Sequence, residues 1–127
     1  MNNPNTPDAL AGRRVLVVED QYAIALDLCE SLDREGASVV GPAASVEDAL
    51  QMLESSGPFD IAVLDIKLRG EPVYPVADRL QELGVPYLFT TACEENEIPE
   101  RYRKAPRFDK PVRLSSILDA IRAYWRA

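Results

Sequence analysis

The chain has 127 residues, a formal net charge of −7, two cysteines and no histidine. One domain with its own core fits that length. The missing histidine removes imidazole acid–base, triad and metal-ligand chemistry, and Cys29 and Cys93 make neither a disulfide framework nor a zinc-ligand spacing. With this acidic balance and no basic run longer than Arg101-Tyr102-Arg103-Lys104, direct DNA or RNA binding through phosphates is not expected. No apolar run approaches the roughly 20 residues of a membrane-spanning helix. The polar start Met1–Pro7 lacks the charge and apolar core of a signal peptide, so the expected location is the cytoplasm.

In chain order, residues 1–12 are rich in Asn and Pro and are expected to form a disordered lead to one domain over residues 13–127. Arg14 to Val18 reads as a first strand, ending in acid at Glu19-Asp20. Ile24, Leu28 and Leu32 then share one helical face that Gly36 ends. Ser38-Val39-Val40 is a short second strand, expected to break at Gly41-Pro42. Ser45 with Asp48 resembles a capping box, and Val46, Ala49, Leu50 and Leu53 supply the apolar face of a second helix before Gly57-Pro58. Asp60 to Asp65 is an apolar run with the character of a strand buried on both faces, stopped by a carboxylate. After the loop Lys67–Pro72, Val73, Val76, Leu80 and Leu83 predict the inward face of a third helix stopped by Gly84. Val85 to Thr90 is the fourth strand. Cys93 to Pro99 has no helical period and is expected to be a loop, with a short helix over 99–103. Arg107-Phe108-Asp109 is a brief fifth strand, and Leu114, Ile117, Leu118, Ile121 and Trp125 line a final helix.

Five strands alternating with five helices predict an α/β fold, a doubly wound parallel sheet in the order 2-1-3-4-5 of flavodoxin-like proteins. In that order strands one and three are neighbours. Glu19, Asp20 and Asp65 then converge at the carboxyl edge of the sheet, with Thr90 or Thr91 from strand four and Lys110 from strand five. Two like charges ~4 Å apart repel by ~4 kcal/mol at an effective dielectric of ~20. Three carboxylates facing one ammonium therefore call for a cation, and hard oxygen donors suit Mg²⁺. A carboxylate is also a competent phosphoryl acceptor. The plainer roles are Asp20 as a helix cap, Asp65 as a strand-end cap and Lys110 as a surface lysine; the burial cost of unpaired carboxylates weighs against the first two.

Val17-Val18-Glu19-Asp20, Val63-Leu64-Asp65, Thr91-Ala92 and Lys110-Pro111, in this order and spacing, resemble the receiver domain of bacterial two-component response regulators, from about Arg13 onward. The resemblance implies that Asp65 accepts a phosphoryl group from a sensor histidine kinase or a histidine phosphotransfer protein. It implies a Mg²⁺ site formed by Glu19, Asp20, Asp65 and the backbone carbonyl of Lys67. Thr91 would be the switch hydroxyl, and Lys110 the lysine before a cis proline. Two positions depart from the pattern. Leu68-Arg69 stands where many receivers have Met-Pro, and Arg107 stands where many have an aromatic residue. Phe89-Thr90-Thr91-Ala92, with Pro99-Glu100-Arg101-Tyr102, is similar to a stand-alone alphaproteobacterial group with a Phe-Ala-Thr-Gly-type fourth strand.

One helix after Lys110 leaves no room for an effector, so the expected output is an unidentified downstream protein partner or a phosphate sink. Catalysis would be limited to the chain's own phosphorylation and dephosphorylation, so no enzyme is expected. The alternative is a degenerate receiver that binds proteins without phosphorylation. An aspartate-nucleophile phosphatase is disfavoured by Lys67 at the position of its second Asp. A flavin or nucleotide binder is disfavoured by Glu19-Asp20-Gln21, which would repel a phosphate.

Overall fold

The computed structural model describes residues 10–125. Its elements are β1 (Arg14–Val18), α1 (Tyr22–Arg34), β2 (Ser38–Ala43), α2 (Val46–Ser56), β3 (Ile61–Asp65), β4 (Lys67–Leu68), β5 (Glu71–Pro72), α3 (Tyr74–Leu83), β6 (Tyr87–Thr91), β7 (Arg107–Asp109) and α4 (Leu114–Tyr124). Two 3-10 turns, Glu95–Glu97 and Glu100–Tyr102, lie between β6 and β7. The main sheet is parallel in the order β2-β1-β3-β6-β7, which is the expected 2-1-3-4-5 when only its own strands are counted. β4 and β5 form a separate antiparallel hairpin.

Side chains on successive strand residues point to opposite faces, and both faces here are apolar. Leu16, Val18, Ala62, Leu64 and Phe89 enter one core with α2 and α3. Val15, Val17, Ile61, Val63 and Leu88 enter the other with α1 and α4. This two-sided burial explains why β3 reads as an unbroken apolar run rather than an alternating one. The register sets Val18 beside Leu64 and Asp65 beside Thr90, so the strands end together at one edge. The expected cap holds at Ser45, whose Oγ accepts the Asp48 N–H at 3.1 Å. No helix among the described residues is long and apolar enough to cross a membrane.

Several expectations are corrected. Among the described residues there are four α-helices, because the short helix expected over 99–103 is the 3-10 turn Glu100–Tyr102 rather than a fifth α-helix; the segment's apolar residues Ile98 and Tyr102 are too few for a sustained helical stripe. β2 does not break at Gly41-Pro42 but continues to Ala43 with one extra residue against β1, since Leu16 pairs with Val40 and Val18 with Ala43. Gly41 sits at φ 121°, and a Cβ there would lie 2.5 Å from the Val17 carbonyl oxygen, so only glycine permits this approach. Pro42 is tolerated because β2 is at the sheet's margin. Leu83, expected inward, is 46% exposed at the end of α3. Most of the expected lead lies outside the described residues, but Leu10 is fully buried in the α1–α4 core and Gly12 donates to the Gly36 carbonyl. The packed unit therefore reaches back beyond residue 13.

Candidate functional site

β1, β3, β6 and β7 all run toward the same edge, and the turns after them carry the polar groups. Glu19 and Asp65 are 4% and 5% exposed, Asp20 is half-buried, and one oxygen from each of the three lies within 4.8 Å of the others. Lys110, just after β7, sets its Nζ 3.0 Å from Asp65 Oδ2 and 3.3 Å from Glu19 Oε1. A cavity of about 390 Å³ opens over these groups, lined among others by Asp20, Asp65, Lys67, Thr91 and Lys110. Every predicted site residue except Glu19 lines it, and Glu19 reaches it through Lys110. The Lys110–Pro111 bond is cis, as the resemblance implied.

Strand alternation separates the two threonines. Thr91 lines the acidic cavity, whereas Thr90 lies on the opposite side of β6, beside a small apolar cavity between α1 and α4. Thr91 is 1% exposed, and its Oγ accepts the Cys93 N–H at 2.8 Å. That bond ties the hydroxyl to the first residues after β6.

The electrostatics follow from burial and partners. Burial, with the Asp65 hydrogen bond and charge beside it, pushes the Glu19 pKa up to about 7, against the opposing pull of the Gln21 N–H and Lys110. For Asp20, burial acts upward, but the Arg69 N–H and neighbouring hydrogen bonds outweigh it and hold the carboxyl below its ordinary value. For Lys110, burial acts downward and is outweighed by Asp65 and Glu19, which raise its pKa and keep it charged. The site is thus short of positive charge, and its all-oxygen donor set fits a hard divalent cation.

Two contributors carried no strong signal in the sequence. The Gln21 side-chain oxygen accepts from Lys110 Nζ at 3.1 Å. The Arg69 N–H donates to Asp20 Oδ2 at 2.8 Å across 49 residues of sequence. Arg107, in the position where an aromatic residue is common, is tied to its own side of the sheet, 3.3 Å from Asp109 and 4.0 Å from Glu95. Tyr102, which lines a separate cavity with Phe89 and Arg107, stacks on Tyr74 at 4.4 Å, meets Phe89 edge-on, and donates to Asp78 at 2.6 Å.

The family model of the response regulator receiver domain matches residues 15–122. The transcriptional regulatory protein PdtaR of Mycobacterium tuberculosis is 33% identical over 126 residues, covering 95% of this chain and 61% of PdtaR. The chain therefore spans less than two thirds of that relative's length. Sporulation initiation phosphotransferase F of Bacillus subtilis is 25% identical over 120 residues, covering 91% of this chain and 95% of that protein. Among solved structures, SdrG from Sphingomonas melonis Fr1 superposes with a TM-score of 0.74 at 32% identity, covering 91% of this chain and 98% of SdrG.

Proposed function

The chain belongs to the response regulator receiver family, and from that premise we propose that Asp65 accepts a phosphoryl group from the phosphohistidine of a sensor histidine kinase or histidine phosphotransfer protein. The observation that supports this reading best is the meeting of the Glu19, Asp20 and Asp65 carboxylates with the Lys110 ammonium at one cavity. These groups come from the ends of three separate strands. In the transfer, an Asp65 oxygen forms the new P–O bond while the donor's P–N bond breaks, and the departing imidazole nitrogen keeps the electron pair.

Glu19, Asp20, Asp65 and the backbone carbonyl of Lys67 would hold Mg²⁺. When bound, that ion supplies neutralising charge for the phosphoryl oxygens and for the crowded carboxylates. Lys110, which contacts Asp65, would hold a phosphoryl oxygen after transfer. Thr91, which lines the same cavity, would donate its hydroxyl to another. Because Thr91 Oγ also accepts the Cys93 N–H, its displacement pulls on residues 93–103. That coupled movement is the signal, read by a downstream protein; alternatively the chain drains phosphoryl groups from its kinase. Its covalent chemistry is confined to its own phosphorylation and dephosphorylation, and it does not itself bind DNA.

A second reading, a protein-binding module that needs no phosphorylation, draws on Arg107 in place of the usual aromatic residue. Intact mass after incubation with a small phosphodonor separates the two. A single phosphoryl addition is expected with Mg²⁺, absent with chelator and absent in Asp65→Asn. An unmodified native chain would favour the second reading.

A further inference from the structure

The tip of the β4–β5 hairpin contacts the acidic site without a part in the phosphoryl chemistry. Arg69 and Gly70 are its two central residues, at φ 51° and 83°. A two-residue hairpin turn with both residues at positive φ is ordinarily built from Asn-Gly, Asp-Gly or Gly-Gly. Arg69 is the one non-glycine residue at positive φ among the described residues, and nothing about an arginine side chain favours that backbone. What the conformation achieves is the direction of its N–H, which donates to Asp20 Oδ2 at 2.8 Å. The stem of the hairpin fixes that direction. Leu68 and Val73 are buried in the α2–α3 core, and the Val73 N–H donates to the Ile66 carbonyl at 2.7 Å. Strain of this kind persists only where the surroundings over-determine it, and it gathers at functional sites.

We propose that Arg69 is a positioning residue for the cation site: its left-handed backbone, braced by the hairpin stem, fixes one oxygen of Asp20 and leaves Oδ1 for a divalent cation. The inference rests on the reading that Glu19, Asp20 and Asp65 hold that cation. Carboxylates that bind metals are themselves held by hydrogen bonds, and losing such a bond ordinarily weakens metal affinity about 10–100-fold. Here the brace is a backbone group, so the role belongs to the conformation at position 69 and not to the guanidinium. Leu68-Arg69, the pair that departs from the common Met-Pro, is then the part of the sequence that makes the brace.

The test is calorimetric titration of the full chain with Mg²⁺, comparing the native protein with Arg69→Pro and Arg69→Gly. Proline has no N–H and cannot adopt φ 51°, so a loss of about 10–100-fold in affinity is expected. Glycine keeps the N–H and takes positive φ readily, so it is expected to rescue binding. In the native chain, hydrogen exchange at the Arg69 amide is expected to slow when Mg²⁺ is added. Should the proline variant fail to fold, Gly70→Val opens the same turn with the Arg69 N–H retained, and it too is expected to weaken binding. Native-like affinity in a folded Arg69→Pro, or in Gly70→Val where the proline variant does not fold, overturns the proposal. A glycine variant as weak as the proline one would also overturn it, moving the role to the guanidinium. A native chain that binds no Mg²⁺ would instead overturn the cation reading beneath it.

Discussion

The β1–β3 and β6–β7 halves of the sheet supply opposite walls of one cavity, and they are built differently. β1 and β3 carry the carboxylates on strands whose residues are buried almost throughout, on both faces. The other wall combines β6, as buried as β1, with a three-residue strand, β7, and two 3-10 turns whose side chains lie mostly at the surface. Paired carboxylates cannot drift without leaving charge unpartnered in a poorly solvated place. Apart from the buried Ile98 and Tyr102, the segment between β6 and β7 is held by exposed ion pairs, each contributing about 0–1 kcal/mol, which give at little cost. On the proposed function, receiving the phosphoryl group and reporting it would be divided between a fixed wall and a movable one. Lys110 spans the division, reaching Glu19 and Asp65 from the end of β7.

Removing the link tests the division most severely. In Lys110→Ala the Glu19 and Asp65 carboxylates lose their cationic partner, and urea unfolding without metal is expected to show a loss of about 3 kcal/mol, partly restored by Mg²⁺. A beryllofluoride phosphoryl mimic should change hydrogen exchange over residues 93–103 in the native chain but not in this variant. Retained exchange changes would show that the walls communicate without Lys110.

A smaller effect is expected inside the movable wall. Tyr102→Phe removes the hydrogen bond to Asp78 but keeps the ring stack, so a loss of about 1–2 kcal/mol in unfolding free energy is expected. Burial, then the Asp78 bond and charge, push the Tyr102 pKa up to about 12 from its ordinary 10.0. The folded pKa is thus the higher one, and the stability linked to it is present below pH ~10 and lost as pH rises through ~12. Melting temperatures over that window should fall more steeply in the native chain than in Tyr102→Phe; parallel curves would place the tyrosine outside the wall's packing. The smallest effect belongs to Glu95→Gln. Its partner Arg107 is 4.0 Å away and Glu95 is 68% exposed, so thermal unfolding should register a loss below about 0.5 kcal/mol.

The fixed wall was also the more legible one. An apolar run ended by acid, twice, is enough to place β1, β3 and their carboxylates, because two-sided burial and the doubly wound order leave those side chains one edge to share. Period-two alternation says that only one of Thr90 and Thr91 faces the cavity, and the resemblance, not the alternation, points to Thr91. The rest depends on contacts between distant residues. Nothing local announces that Gly41 passes within reach of the Val17 carbonyl, so Gly41-Pro42 reads as a break. Arg-Gly is not a usual hairpin signal, so residues 67–72 read as plain loop. Leu10 lies among turn-like residues and joins the core only because α1 and α4 leave room for it.

The extra residue in β2 has a consequence at the margins of the molecule. An open sheet offers its outer strands to any extended peptide that can hydrogen-bond along them, including another unfolded chain. On one margin, Gly41 bends the strand and Pro42 has no N–H to offer. On the other, β7 is three residues long and bears charges at Arg107 and Asp109. Neither margin presents the flat, continuous ladder that strand addition and fibril growth require. On the proposed function, a partner would then be met by helices and loops rather than by strand addition.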